Sequence, residues 1–532
     1  MYRDDAAQQS PAALNVPRIS HIRNAALILI AVIAAEAPAQ RATVCVTDSG
    51  ALGDGRTINT AVLQRVIDGC AGRGGGTVVV PPGDFVTGTL FLRSNIHIVL
   101  ESGAVLRGSP HLKDYEASGR RLGLIYAQDA ENVTISGPGR IDGNCGAFMD
   151  FAHAKRIDSV TAGRTRQGTR FREVLAGVGD GPAVPLERPY QMLIFSSCRN
   201  VALQNLLITD SPFWTVHCAD CDGVLLSGVR IWCNLLVPNN DGADFTTCSN
   251  VIVSDCDIRT GDDCLVFTGY CRHFDLPGFR NLRHPSENVT VTGCTLQSRS
   301  AAVRIGGFDQ NPMRNYAFSN LTIHDSNRGI GIFARDEGSI ENIVFSNVLI
   351  DTRLHTGDWW GNGDPIQISA VRLTKDVKLG RIANVRFRDI VCRAESGILV
   401  YGTEENVIEN VTFDGLVLHM QNGPLESASG GNFDLRPVLD PRLQLFSHDV
   451  PGFYAEWVRG LRISDYELSW DPVVPRFFSH GLEIRHFDTV SVEGFSGTGA
   501  PGNRHAFPLM LANGRAFTSG LRRSMIRSVD VR

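Results

Sequence analysis

At 532 residues the chain is far longer than a large apolar core requires, with 54 glycines, above the usual ~7%, and 20% charged residues, below the usual ~25%. A net charge of −5 over that length argues against a nucleic-acid binder, for which a basic stripe would be expected. Many turns and many neutral side chains favour a solenoid, which grows by adding rungs to one core, over the several globular domains that length alone suggests.

At the N-terminus a polar stretch containing Arg18, His21 and Arg23 precedes an apolar run from Ala25 to Ala35 and an A-x-A-like site, Ala37-Pro38-Ala39. So short a run does not make a permanent anchor. Residues 1–39 are therefore expected to be a signal peptide. The mature chain would start near Gln40 or Arg41, be secreted or periplasmic, and have no membrane attachment. All 13 cysteines follow this leader, beginning at Cys45, and their odd number and wide spacing are not those of a small disulfide scaffold. Cys218-Ala-Asp-Cys221 is the one close pair, and it lacks a second pair at zinc-site spacing. Cys248, Cys256, Cys264 and Cys294 lie in strand-like segments and read as small core residues.

Thr60 to Cys70 carries Ala61, Val62, Val66 and Ile67 at helical spacing, the place for a helix that covers the open end of a solenoid. After residue 75 a phrase of a polar or small residue, alternating apolar positions and a turn recurs. It appears at Asn132, Asn200, Gly223, Asn250, Asn288, Asn320, Asn342, Asn384 and Asn410, and fades at Gly460. Period-2 alternation means short half-buried strands, and repetition at this interval means stacked rungs. The expected fold is an all-β, right-handed, single-stranded parallel β-helix over residues 40–495. The recurrent Asn would bond its equivalent on the next rung, which accounts for N-x-[ST] triplets at Asn132, Asn288, Asn320 and Asn410 without glycosylation. Two stretches without alternation, about 150–187 and 420–455, read as inserted loops. Residues 496–532 read as a C-terminal cap or tail.

One segment concentrates acids: Asn239-Asn240-Asp241-Gly242-Ala243-Asp244, then Thr260-Gly261-Asp262-Asp263-Cys264. The 21-residue step from 241 to 262 is about one rung, which sets Asp241 beside Asp262 and Asp263 on one face. Adjacent strand residues face opposite ways, so both members of the pair face outward only if the chain bends at Gly261. Acids so close raise the pKa of at least one of them, leaving one carboxyl protonated beside ionised neighbours. Glycoside hydrolysis asks for that division: one acid for the leaving oxygen, one or two bases for water.

These stretches, with GDGRTINTAVLQRVIDGC and GGGTVVVPPGDFVTGTLFLRSNIHIVLESGAVLRGS upstream, resemble the polygalacturonase-like glycoside hydrolases of family 28 from about Val46 to residue 420. Asn239-Asn240-Asp241-Gly242 is similar to the family's N-[TN]-D-G motif and Gly261-Asp262-Asp263 to its G-D-D motif. The resemblance implies an inverting hydrolase of a pectin-like polysaccharide. Asp262 would be the general acid, and Asp241 and Asp263 would position and deprotonate the water. No cofactor or metal is implied, nor a nucleic-acid partner. Two motifs depart from the pattern. In Ser300-Ala301-Ala302-Val303-Arg304-Ile305-Gly306, Ala301 stands for the family's histidine and Arg304 for its serine. Gly331-Ile332-Phe333 stands for the R-x-K that grips a galacturonate carboxylate. Arg304, Arg335 and Asp336 are therefore the expected substrate contacts, with His355, Trp359 and Trp360 from a glycine-rich loop whose tryptophans suit stacking on sugar rings. Arg188 and Tyr401 are further candidates for the border of the cleft. Two other readings fit a solenoid: a lyase in which the acids bind Ca²⁺ and Arg304 or Arg335 abstracts a proton, and a non-catalytic glycan-binding protein.

Overall fold

The alternating segments fold into parallel strands that stack rung on rung. Each pairs with its equivalent one turn before and one turn after, as Ala243–Thr246 does with Val216–Ala219 and Leu265–Thr268. The computed structural model describes residues 42–155, 181–271, 282–355, 357, 359–426, 431–520, 522 and 526–531. The expected signal peptide, most of the first insert, and Thr356 and Asp358 of the tryptophan loop lie outside the described residues. No described helix is long and apolar enough to cross a membrane. Right-handed coiling is the rule where a parallel strand returns to its own sheet, and the architecture is a right-handed parallel β-helix with an N-terminal helix.

In one rung, Val216–Ala219, Asp222–Ser227 and Arg230–Trp232 form three short legs joined by bends; later rungs fuse two legs into strands such as Ile340–Thr352. Alternate residues fill the lumen. Phe318, Phe345, Phe387 and Phe413, one per rung, stack with centroids 4.4, 5.2 and 4.7 Å apart. Offset-stacked aromatics add to the area they bury. Cysteines stack similarly: the Cys248 thiol donates to the Cys218 carbonyl, the Cys221 thiol to that of Phe195. All 13 are unbridged, and all but Cys45 are buried.

The bend after each first leg needs a left-handed residue. Asn132, Asn200, Asn250, Asn342 and Asn410 sit at φ of 55–59°, and Gly223 and Gly460 take the same place at 74° and 68°. Glycine adopts this region freely, and asparagine and aspartate at smaller cost than other side chains. The asparagine amides bond from rung to rung, Asn200 to Asn132 at 2.8 Å and Asn384 to Asn342 at 3.2 Å. One placement corrects the sequence phrase. Asn315 bonds Asn288 in this ladder, whereas Asn320 belongs to a second column and bonds Asn347. The fused strand Met313–Ser326 contains both bends, so two Asn-led phrases fall in one rung.

The helix, Thr60–Ala71, buries Leu63, Val66, Ile67 and Cys70, a face set by Leu63 where Ala61 was expected; Ala61 is exposed. Gln64 donates to the carbonyl of Phe91 and accepts from its N–H, so the helix also satisfies the backbone of the strand Leu90–Leu92. Past residue 496, where a cap or tail was expected, Leu509–Ser519 and Ile526–Val531 continue the parallel stacking. The second insert contributes an antiparallel pair, Asn432–Asp434 with Leu445–Ser447.

Candidate active site

Two successive bends bring the acids together. Asn239 to Gly242 precede the strand Ala243–Thr246; Gly261 to Cys264 precede Leu265–Thr268 one rung on. The bends pack by close backbone contact: a Cβ on Gly242 would lie 2.4 Å from the Cys264 carbonyl oxygen, and one on Gly261 2.3 Å from that of Val237. Glycine is required at both positions. Carboxylate oxygens of Asp241, Asp262 and Asp263 lie within 4.8 Å of one another.

The surroundings differ for each acid. Asp262 is half-buried and accepts from the backbone N–H of Asn239 (3.1 Å) and of Asp263 (3.0 Å). Arg188 holds the Asn239 bend in place by donating to the carbonyls of Pro212 and Pro238 and to the Asn239 side chain. Asp241 is buried, with Oδ1 lacking any hydrogen-bond donor. Asp263 is buried too; its oxygens accept from the Ala301 N–H (2.8 Å) and Arg304 (3.2 Å). Burial and the charge of Asp263 push the Asp262 carboxyl up to about 7. Burial first, then Asp262, Asp244 and Asp263, raise Asp241 well above the usual carboxylate range, with Arg304 opposing. Burial costs Arg304 some affinity for its proton, but Tyr270, Asp263 and Asp241 more than restore it. The group thus holds protons at pH values where isolated aspartates are bare.

Asp241 and Asp262 open onto a cavity of about 290 Å³, lined also by Lys155, Trp214, Pro238, Asn239, Tyr270, Arg304, Phe308, Trp359 and Trp360. Five aromatic side chains around two acids suit the apolar faces of a sugar ring. Arg304, Trp359 and Trp360 are where the sequence places them, with the Arg304 guanidinium 5.7 Å from the Trp360 ring centroid. Three other expected contacts are not there. Arg335 is fully buried and spends its donors on the carbonyls of Ala334, Ser369, Leu435 and Pro437 and on the Ser369 hydroxyl. It anchors the second insert, and no donor is left for substrate. Asp336 is buried and accepts from Gln310 and the Glu337 N–H. His355 is fully buried, accepts from Arg299 at 3.2 Å, and lies against Asp325. Tyr401 lines a separate cavity with Phe446.

The sequence reading passed over Asp244. It is a fourth buried acid, raised well above its usual range by burial and lacking a donor to Oδ2. Its strand register with His217 and Val266 turns it outward beneath the cluster. Trp214, Tyr270 and Phe308 were also missed. A hint existed for Trp214, which precedes its strand one rung before Asp241. At the replaced motifs, Arg304 fills the space beside Asp263. The Phe333 ring fills the space at Gly331, where a Cβ would meet it at 2.4 Å, with Arg328 and Arg335 within 5.0 and 5.1 Å of the ring centroid. Among the described residues the three clustered aspartates form the one group of at least three side chains that could hold a metal ion, and the Arg304 guanidinium already neutralises one of them.

Residues 184–423 match the model of the glycosyl hydrolases family 28. A probable polygalacturonase of Vitis vinifera is 28% identical over 236 residues, 41% of this chain and 42% of that protein. An exo-poly-alpha-D-galacturonosidase of Dickeya chrysanthemi is 27% identical over 252 residues, 42% of this chain and 41% of that one. The chain thus spans less than half the length of these relatives. Among solved structures, a Yersinia enterocolitica family 28 exopolygalacturonase superposes with a TM-score of 0.58 at 16% identity, covering 84% of this chain and 78% of that one. A Thermotoga maritima exopolygalacturonase gives 0.54 at 22% identity, covering 71% and 87%. At these identities the two structures speak for the fold.

Proposed function

Because the chain is polygalacturonase-like, matching the family 28 glycosyl hydrolases across residues 184–423, we propose that it is an exported glycoside hydrolase that cleaves a pectin-like or other acidic polysaccharide with inversion. Asp262 is the general acid: it faces the cavity, and its proton is held up to about 7. It protonates the glycosidic oxygen as the bond breaks. Asp241, facing the same cavity with an oxygen that has no donor, takes the proton of the attacking water in the state where the proton held between these two neighbouring carboxyls rests on Asp262 and Asp241 is ionised. Asp263, one oxygen on the Ala301 N–H and the other on Arg304, holds the guanidinium against the cluster and completes the water site. The observation that carries this reading is the convergence of three carboxylates within 4.8 Å of one another, two of them on an aromatic-walled cavity.

That spacing is narrower than the ~6.5–9.5 Å between carboxyls usual for inversion, so the anomeric configuration of the first product is the decisive measurement. Proton NMR in the first minutes of digestion distinguishes inverted from retained product, and retention would overturn the assignment. Lyase chemistry would leave an unsaturated product absorbing in the ultraviolet. Arg304, ion-paired to Asp263, is a poor base for it. We further propose release from a chain end. The second insert is pinned beside Trp359 by Arg436, which donates to the Trp359 carbonyl and pairs with Asp434. Arg328 and Arg335 add donors to the Asp434, Leu435 and Pro437 carbonyls. On this reading the insert, anchored behind Trp359, closes one end of the cavity. A single short product throughout digestion supports it; a ladder of intermediate lengths excludes it.

A further inference from the structure

A second cavity of about 590 Å³ lies on a different face of the coil, over the strands that contain Val344, Arg386, Thr412, Arg462 and Ser491. These five residues are in register on consecutive rungs. Arg386 and Arg462 are exposed, flank Thr412 and stand two rungs apart, ~9.6 Å at the spacing of stacked strands. Neither makes a hydrogen bond or ion pair with any described residue. The neighbouring arginines do: Arg388 pairs with Asp414, Arg381 with Glu341, and Arg459 with Glu409 and Asp488. Alongside runs the asparagine ladder, with Asn342, Asn384 and Asn410 on the cavity wall.

We propose that this groove binds an anionic polysaccharide, its carboxylates on Arg386 and Arg462 and its hydroxyls on the threonine, serine and amide side chains between them. An arginine fork with no acid beside it is free for bidentate contact with a carboxylate. Repetition at the rung spacing offers equivalent contacts to successive units of a polymer. Nucleic acid is a poorer fit. Its charge recurs every ~1.7 Å and calls for a broad basic stripe, whereas this groove has two cations amid neutral polar groups. The groove is separate from the carboxylate cluster and would hold polymer whether or not the cluster cleaves it.

Binding of sodium polygalacturonate to the full chain, measured by affinity electrophoresis in an Asp262→Asn background to prevent turnover, tests this. Adding Arg386→Gln and Arg462→Gln should weaken binding about five- to tenfold at low ionic strength, the effect shrinking in high salt. Lysine at both positions should restore part of it. Fully methyl-esterified pectin should bind equally to both forms. Unchanged affinity for polygalacturonate, equal loss for neutral dextran, or tighter arginine-dependent binding of duplex DNA would each overturn the assignment. Arginine-dependent binding by an active chain that never shortens the polymer would sink the hydrolase reading and leave the groove standing.

Discussion

Replacing Asp262 with asparagine removes the proposed proton donor and also a charge that the fold holds at a cost. The carboxyl rises from 3.8 to about 7 through burial and the charge of Asp263. In the unfolded chain it ionises near its ordinary value. As pH rises from about 4 to about 7 the unfolded state therefore loses a proton that the folded state keeps, and stability falls. The difference of 3.2 units between those values, at about 1.36 kcal/mol each, sets a ceiling near 4 kcal/mol. Because Asp262 keeps some contact with solvent, about 2 kcal/mol is the working figure. For a chain of this length that is roughly 2 °C of melting temperature. The expected result is a variant whose melting point matches the parent at pH 4 and exceeds it at pH 8. Its turnover should be lower by about 10²–10⁴-fold, the usual contribution of a general acid. Melting curves at one scan rate, with reducing-end release on the same samples, measure both. A variant less stable than the parent at pH 8, or one that keeps its turnover, would refute the reasoning.

Activity of the parent chain should fall as pH rises through about 7, when Asp262 loses its proton, and a pH–rate profile measures this directly. Arg304→Gln should move that descending limb to higher pH, since Arg304 lowers both Asp262 and Asp241; an unmoved limb would place Arg304 outside the electrostatics of the cluster. Arg335→Met should cost about 3–5 kcal/mol in urea unfolding, because it strands carbonyls that the guanidinium now satisfies. A stable variant with only a raised KM would instead make Arg335 a substrate ligand. Asn342→Ala should cost about 1–2 kcal/mol, from alanine at a φ of 59° and two lost ladder bonds, with Asn342→Gly milder.

What the sequence revealed follows from what is local. The asparagine phrase is legible because each rung meets the same demand, a left-handed bend next to an equivalent bend, and few side chains satisfy it. Asp241 and the Asp262–Asp263 pair are legible for a related reason: one rung of separation becomes one strand spacing in space. Asn320 went wrong where that logic is weakest, since the chain has two left-handed bends per rung and an asparagine does not say which one it serves. Tyr270 and Phe308 were beyond reach because their place on the cavity depends on the path of the bends between strands, which alternation does not record.

Arg304 and Arg335 show the same limit within one residue type. Both lie near altered motifs, Arg304 within the strand Ala301–Gly307 and Arg335 just past the strand Arg328–Ala334, and nothing in their flanking residues separates a site arginine from a structural one. The difference lies in partners distant in sequence. Arg335 meets carbonyls supplied about a hundred residues later, at Leu435 and Pro437, and is consumed by them. Arg304 meets Asp263, 41 residues earlier, and stays on the cavity wall. The guanidinium that remains at the site is thus already half-neutralised by Asp263, beside Asp241, Asp244 and Asp262, whose carboxyls burial raises. A uronate entering this cavity meets acids first and one shared cation second. Its carboxylate would do better pointing toward Lys155, which also lines the cavity, than toward Arg304. Lys155→Met should therefore raise KM for polygalacturonate more than for its methyl ester while leaving kcat near the parent value. An equal rise for both substrates would return the carboxylate to Arg304.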